Sequence, residues 1–220
     1  MTRRQALSIA LAVMPFGVAF GAAASDAGLP PWQASALSVF VFAGSAQFAA
    51  VEVVGHGGAA LAAVAAGLLL NLRSLAFGVA MAPSLAGPWW KRALWSHLMI
   101  DEATAVGVGQ SDHRWRRYGF VVTGLAIFVA WNLSTVVGAA ALASGGDLVT
   151  AWGIDATGPA AFLALLWPRL SRPDQRRTAL AGAAVALAVL PFTPPGVPVV
   201  AATAGVAVAW ARRPPPADAP

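Results

Sequence analysis

Long apolar runs separated by short breaks of Gly, Pro and charged residues dominate the chain. Most runs are close to 20 residues, the length with which an α-helix spans a hydrocarbon core of about 30 Å. Helices pair every backbone polar group within the segment, as the bilayer interior requires. The pattern predicts an all-α, polytopic membrane helical bundle. Its apolar segments are 6–25, 34–54, 58–82, 118–143, 151–168, 177–192 and 197–211.

One further segment, residues 93–110, is less apolar because it contains Asp101 and Glu102. Basic residues decide whether it crosses, since Lys and Arg collect in cytoplasmic loops. If it crosses, the basic clusters at 3–4, 114–117, 169–177 and 212–213 all lie on the cytoplasmic side, and only Lys91 and Arg92 lie outside. We therefore predict about eight spans with both termini cytoplasmic, and seven spans as the alternative.

Composition supports a protein of the cell inner (cytoplasmic) membrane. Hydrophobic residues make up 58% of the chain and charged residues 10%, far below the roughly one quarter that is usual in soluble domains. We predict a single transmembrane domain over residues 1–211 and a disordered, Pro-rich tail over 212–220. The net charge of +5 comes from loop clusters, which indicates membrane topology and not nucleic-acid binding.

Candidate enzyme chemistry is scarce in this sequence. The chain has no cysteine, so disulfides and Cys-ligated metals are excluded, and its three histidines show no metal-ligand spacing. We find no nucleophile and base set either. We therefore expect no cofactor, no metal site and no enzymatic activity.

A short motif is repeated about half a chain apart. FAGSAQF at 42–48 and ATGPAAF at 156–162 share Gly, Ala and Phe at equivalent positions. This predicts two parallel repeat halves, approximately 6–110 and 118–211, although chance similarity in an Ala-rich and Gly-rich chain is the alternative. Interrupted apolar segments at matching places point to a transporter binding site, whereas small residues also serve simple helix packing. The candidate substrate contacts here are Gly44, Ser45, Gln47, Gly158 and Pro159.

Three of the ionisable residues inside predicted spans stand out, Arg73, Asp101 and Glu102, because charge at membrane depth is costly and usually functional. Arg73 lies about 13 residues before the turn near 85–88 and Asp101 about 15 after it, so both lie roughly 20 Å from that turn. We predict an ion pair between Arg73 and one carboxylate, while the other carboxylate, of Asp101 or Glu102, carries a proton. A purely structural salt bridge is the alternative. Asn71, on a small, polar helix face, and Arg73, as a ligand for a substrate carboxylate or an internal acid, are further candidates for substrate contact.

Several motifs together resemble the AzlC family of branched-chain amino-acid transporters. They are PFGVAFG at 15–21, FAGSAQF at 42–48, NLR at 71–73, AP at 82–83 and DE at 101–102. The resemblance implies export of hydrophobic amino acids such as leucine, isoleucine or valine, together with a small AzlD-type membrane partner. The residues to which it carries over are Gln47, Asn71, Arg73, Asp101 and Glu102. This chain departs from the family at Ser74 and Phe77, where members usually have His and Tyr.

The function predicted from all of these features is a secondary transporter that exports branched-chain or other hydrophobic amino acids across the cytoplasmic membrane, coupled to protons. The alternative is a non-transporting membrane subunit that assembles with a small partner protein through its small-residue faces.

Overall fold

A computed structural model describes residues 3–143, 163, 167–193 and 197–210 of the 220-residue chain. Every regular element within these ranges is helical, which confirms the predicted all-α class. The longer helices are α1 (Arg3–Asp26), α2 (Pro31–Val41), α3 (Gly44–Gly55), α4 (Ala60–Asn71), α8 (His113–Ala143) and α9 (Pro173–Val189). The shorter ones are α5 (Arg73–Met81), α6 (Trp89–His97), α7 (Asp101–Val108), α10 (Val197–Ala202) and α11 (Gly205–Trp210).

Within these described residues, two helices are each long and apolar enough to cross a membrane. They are α1 and the part of α8 from His113 to Ala141. A third span is formed if α4 and α5 are taken together, since they are bent by 42° at one break. The predicted segment 151–168 lies almost entirely outside the described residues. A membrane-spanning helical protein is thus supported, whereas the described residues do not confirm the count of eight spans.

Helices α1 and α8 pack side by side and run in the same direction. At one end Arg3 Nε donates to Tyr118 Oη over 3.4 Å, and at the other Ser25 Oγ donates to the Ala139 carbonyl over 3.2 Å. Gly21 and Gly138 allow the backbones to touch, because an added Cβ would overlap the opposing helix. We call the Arg3 end of this pair the N-terminal end of the bundle.

Helices α2 and α3 form a hairpin that enters and leaves at the end opposite the N-terminal end. Residues 37 and 47 would lie about 15 Å apart in a continuous helix, yet Gln47 Nε2 donates to the Leu37 carbonyl over 2.8 Å. A Cβ on Gly55 would lie 3.0 Å from that of Ala27, which directly follows α1. The predicted broken helix near 42–48 is therefore confirmed, and the chain also reverses there.

Helices α6 and α7 form a second hairpin, which belongs to the N-terminal end. Before it, Ser84 Oγ lies 2.9 Å from His113 Nδ1, and after it Arg116 Nε donates to the Gln110 carbonyl over 2.9 Å. Between them, Leu98 Cβ lies 3.1 Å from the Cβ position of Gly124, about 16 Å along α8 from His113. The hairpin tip therefore lies deep in the bundle, while both ends of the hairpin lie at the N-terminal end.

This arrangement corrects two of the predicted crossings, those by residues 34–54 and 93–110, since each segment returns to the end from which it came. Because 34–54 reverses, α4 and α5 lead back to the N-terminal end, where Ser84 contacts His113. Lys91 and Arg92 therefore belong to the same end as Arg3 and were wrongly predicted on the other side. For 93–110 the physical reason is a break at residues 98–100, where Ile100 is extended (φ −123°, ψ 165°) and α7 begins anew at Asp101. Hydropathy over a window cannot distinguish one full helix from two half-length helices that fold back.

Candidate functional site

Three helix breaks meet at one depth between the two hairpins. They are residues 42–43 between α2 and α3, Leu72 between α4 and α5, and residues 98–100 between α6 and α7. The Phe42 ring lies 6.1 Å from His97 and 5.0 Å from Phe128 on α8, measured between ring centroids. The tips of two hairpins from opposite ends are thereby in contact through aromatic rings.

Arg73, the first residue of α5, joins the two hairpins. Its Nη1 donates to Asp101 Oδ2 over 2.9 Å, and its Nη2 donates to Ser45 Oγ over 2.8 Å. The predicted ion pair between Arg73 and Asp101 is confirmed, and Ser45 adds a contact that the sequence did not indicate. The two charged side chains are partly buried, with 36% of Arg73 and 27% of Asp101 exposed. One guanidinium thus bridges the first turns of α3 and α7.

A cavity of about 540 Å³ opens beside this bridge. Its size falls within the roughly 300–1,000 Å³ that is typical of small-molecule sites. One part of its wall is polar and is formed by Ser45, Asn71, Arg73, Ser74, Asp101 and Glu102. The rest is largely apolar and includes Val13, Phe16, Phe48, Leu70, Ile127 and Trp131. The cavity is therefore suited to a small molecule with a charged head and an apolar body.

The predicted site residues divide into three groups. Gly44, Ser45, Asn71, Arg73, Asp101 and Glu102 all line the cavity. Gln47 is fully buried and bonds to Leu37 of its own hairpin, outside the cavity wall, so its role in substrate contact stays a prediction. Gly158 and Pro159 lie outside the described residues.

Ser74, on the same small, polar helix face as Asn71, also lines the cavity. It donates to Asn71 Oδ1 over 2.8 Å and orients that amide at the cavity wall. One cavity residue that was not predicted from the sequence is Trp131. Trp131 is buried, with only 5% of it exposed, and its ring covers the start of α3. A signal for Trp131 was present, because membrane tryptophans usually lie near the ends of spans and this one lies well inside the long apolar run of α8.

The charges around the cavity nearly cancel. Arg73 pairs with the carboxylate of Asp101, and Glu102 adds a second acidic side chain to the wall, so the side chains alone favour a net negative charge. The N-termini of α3 and α7 also open here, and each contributes roughly half a positive charge. A wall with both signs and no large excess suits a zwitterion better than it suits a simple anion or cation.

Comparison with known proteins places the chain in a family. The sequence profile described as AzlC protein matches residues 8–144. The inner membrane protein YgaZ of Escherichia coli is 24% identical over 141 residues, which cover 62% of this chain and 58% of YgaZ, less than two thirds of that relative. An uncharacterized membrane protein of Archaeoglobus fulgidus is 28% identical over 203 residues, covering 90% of this chain and 87% of the relative.

A third relative, an uncharacterized membrane protein of Helicobacter pylori, is 23% identical over 192 residues, with 84% of this chain and 81% of the relative covered. No solved structure matches this chain. Since the profile covers more than half of the sequence, the chain belongs to the AzlC family.

Proposed function

We propose that this AzlC-family protein is a secondary transporter that exports branched-chain or other hydrophobic amino acids across the cytoplasmic membrane, driven by protons. The observation that carries the proposal is the cavity at the meeting point of three helix breaks. Broken helices free backbone groups that bind polar ligand atoms, and transporters place their sites at such points. The apolar wall accommodates the aliphatic side chain of the substrate.

The Arg73–Asp101 pair supports coupling to protons. An ion pair inside the membrane is stable only while both charges remain, because an isolated charge in a low-dielectric site is costly. In our proposal a substrate that engages Arg73 weakens its hold on Asp101, and Asp101 then accepts a proton. Glu102, the next residue and also in the wall, is the second candidate for this role.

Reconstituted transport tests the proposal. Purified protein in proteoliposomes should exchange internal leucine for labelled leucine, and a proton gradient should drive net transport. Asp101→Asn should retain exchange but lose the response to the gradient, whereas Glu102→Gln tests the alternative carrier. Asp26→Asn, at the exposed end of α1, is the control and should behave as the unmodified protein. A normal gradient response in both cavity variants would remove the proton-carrier role.

Direction is tested in cells. A strain that lacks the protein should accumulate leucine and valine when fed a branched-chain dipeptide, and expression of this chain should reverse the accumulation. The same assay tests the partner that we propose, a small AzlD-type membrane protein suggested by the family resemblance. If export needs that partner while this chain alone neither binds nor exchanges leucine, the chain is the non-transporting subunit of the alternative interpretation.

A further inference from the structure

The two half-helices that open at the cavity differ in how their positive ends are balanced. The first turn of α7 carries Asp101 and Glu102, whose carboxylates offset its dipole. The first turn of α3 begins at Gly44, contains no acidic residue and has no side-chain cap. Its leading backbone N–H groups have no partner within the helix. The start of α3 is therefore the uncompensated positive end at the cavity.

A second observation lies at the same place. The Trp131 indole Nε1 is buried and has no hydrogen-bond partner among the residues that the structure describes. The same ring lies over α3, with its Cη2 3.1 Å from the Cβ position of Gly44. An unpaired buried donor is unfavourable until an acceptor arrives. Trp131 lines the cavity as well, so such an acceptor can come from a bound ligand.

A positive side chain completes the arrangement. Arg73 Nη2 is held 2.8 Å from the Oγ of Ser45, the second residue of α3. Gly44, Ser45, Arg73 and Trp131 all line the cavity. Backbone amides, a guanidinium and an indole N–H, all of them hydrogen-bond donors, therefore belong to one part of its wall. Donors of this kind bind carboxylates with charge-assisted hydrogen bonds.

From this geometry we infer that the N-terminus of α3, flanked by Arg73 and Trp131, is the subsite for the substrate carboxylate. The inference rests on the proposed transport of amino acids and makes it more specific. The ligand class is a small molecule with a free carboxylate and an aliphatic side chain. Amides and alcohols with the same side chain lack the negative charge and are excluded.

Equilibrium binding to the purified full-length chain in lipid nanodiscs tests the subsite, with L-leucine and L-leucinamide as probes. Unmodified protein should bind leucine at least about tenfold more tightly than leucinamide, which corresponds to about 1.4 kcal/mol. Trp131→Phe keeps an aromatic ring but removes the donor, and it should weaken leucine binding several-fold without changing leucinamide binding. Trp89→Phe, at a position 81% exposed on α6, is the matched control.

The outcomes separate the subsite from the function. Equal binding of leucine and leucinamide by unmodified protein would overturn the carboxylate subsite while leaving amino-acid transport intact. Binding of neither probe would overturn both. Should Trp131→Phe lower the melting temperature too far for measurement, Ser45→Ala tests the same point, since it releases Arg73 from α3. Ser45→Ala should weaken leucine binding and leave leucinamide binding unchanged, and an equal loss of binding for both probes would count against the subsite.

Discussion

The bridge made by Arg73 predicts a measurable coupling between two side chains that lie 28 positions apart in sequence. We expect Arg73→Met and Asp101→Ala each to destabilise the protein, and the double variant to lose less than the sum of the two. A double-mutant cycle isolates the pair, because other contacts of Asp101 cancel in the difference.

The size of the coupling energy follows from the distance between the two charges and from the exposed fraction of each side chain. Two unit charges about 4 Å apart attract by about 4 kcal/mol at an effective dielectric constant of 20. Fully exposed pairs contribute about 0–1 kcal/mol, whereas removal of one partner from a buried pair costs about 3–5 kcal/mol. The pair is 36% and 27% exposed, so solvent screens part of the attraction. We therefore expect a coupling energy of about 1–2 kcal/mol.

Thermal unfolding in detergent supplies the measurement. For a chain of this size about 1 kcal/mol shifts the melting temperature by about 2–4 °C, so each single variant should melt several degrees lower. The exposed pair of Arg177 and Asp174, at 4.0 Å and 60% and 89% exposure, gives a matched control cycle with coupling near zero. Additive losses at Arg73 and Asp101, or equal coupling in both cycles, would refute the reasoning.

Two further predictions concern the hairpins and the α1–α8 contact. Because the chain has no native cysteine, single cysteines report sidedness. Lys91→Cys should react with an impermeant maleimide from the same side as Arg4→Cys, and His56→Cys from the other side, whereas a full crossing by 34–54 would exchange Lys91 and His56. Gly21→Ala should lower the melting temperature by several degrees, because the added Cβ would overlap the Thr135 carbonyl. Gly78→Ala is the control: a Cβ there has no atom within 4 Å, so the variant should be neutral or stabilised by up to about 1 kcal/mol. Similar shifts in the melting temperature of the two variants would contradict this packing.

Local sequence patterns predicted much of the site. Arg73 and Asp101 stood out because a charge in lipid is costly. Their similar distances in sequence from the turn near 85–88 predicted that they lie at the same depth, and the structure shows an ion pair between them. The GS pair at 44–45 marked a helix break that the structure also has. These features depend on residues that are close in sequence or on the number of residues on either side of one turn, so the sequence alone is enough to predict them.

Whether the chain continues or reverses after each half-helix could not be predicted from the sequence. A break at 42–43 or 98–100 fits either a kinked span or a reversal, and only contacts with other elements decide. Lys91 and Arg92 did carry a signal, because they were the sole basic cluster on the wrong side of the predicted layout. Two reversals, of 34–54 and of 93–110, remove that exception, yet charge alone does not say which segments reverse.

Fold and site depend on the same few contacts, and this limits how variants can be interpreted. Irregular backbone at membrane depth is tolerated only where it is buried in protein or lines a cavity, and here Arg73 supplies hydrogen bonds to both hairpins beside their breaks. Replacing Arg73 therefore removes two things at once, the substrate ligand that we propose and the hydrogen bonds that join the two hairpins. Loss of transport in such a variant does not separate the two roles. Variants such as Trp131→Phe, which keep the packing and delete one donor, separate them by their effect on leucine against leucinamide.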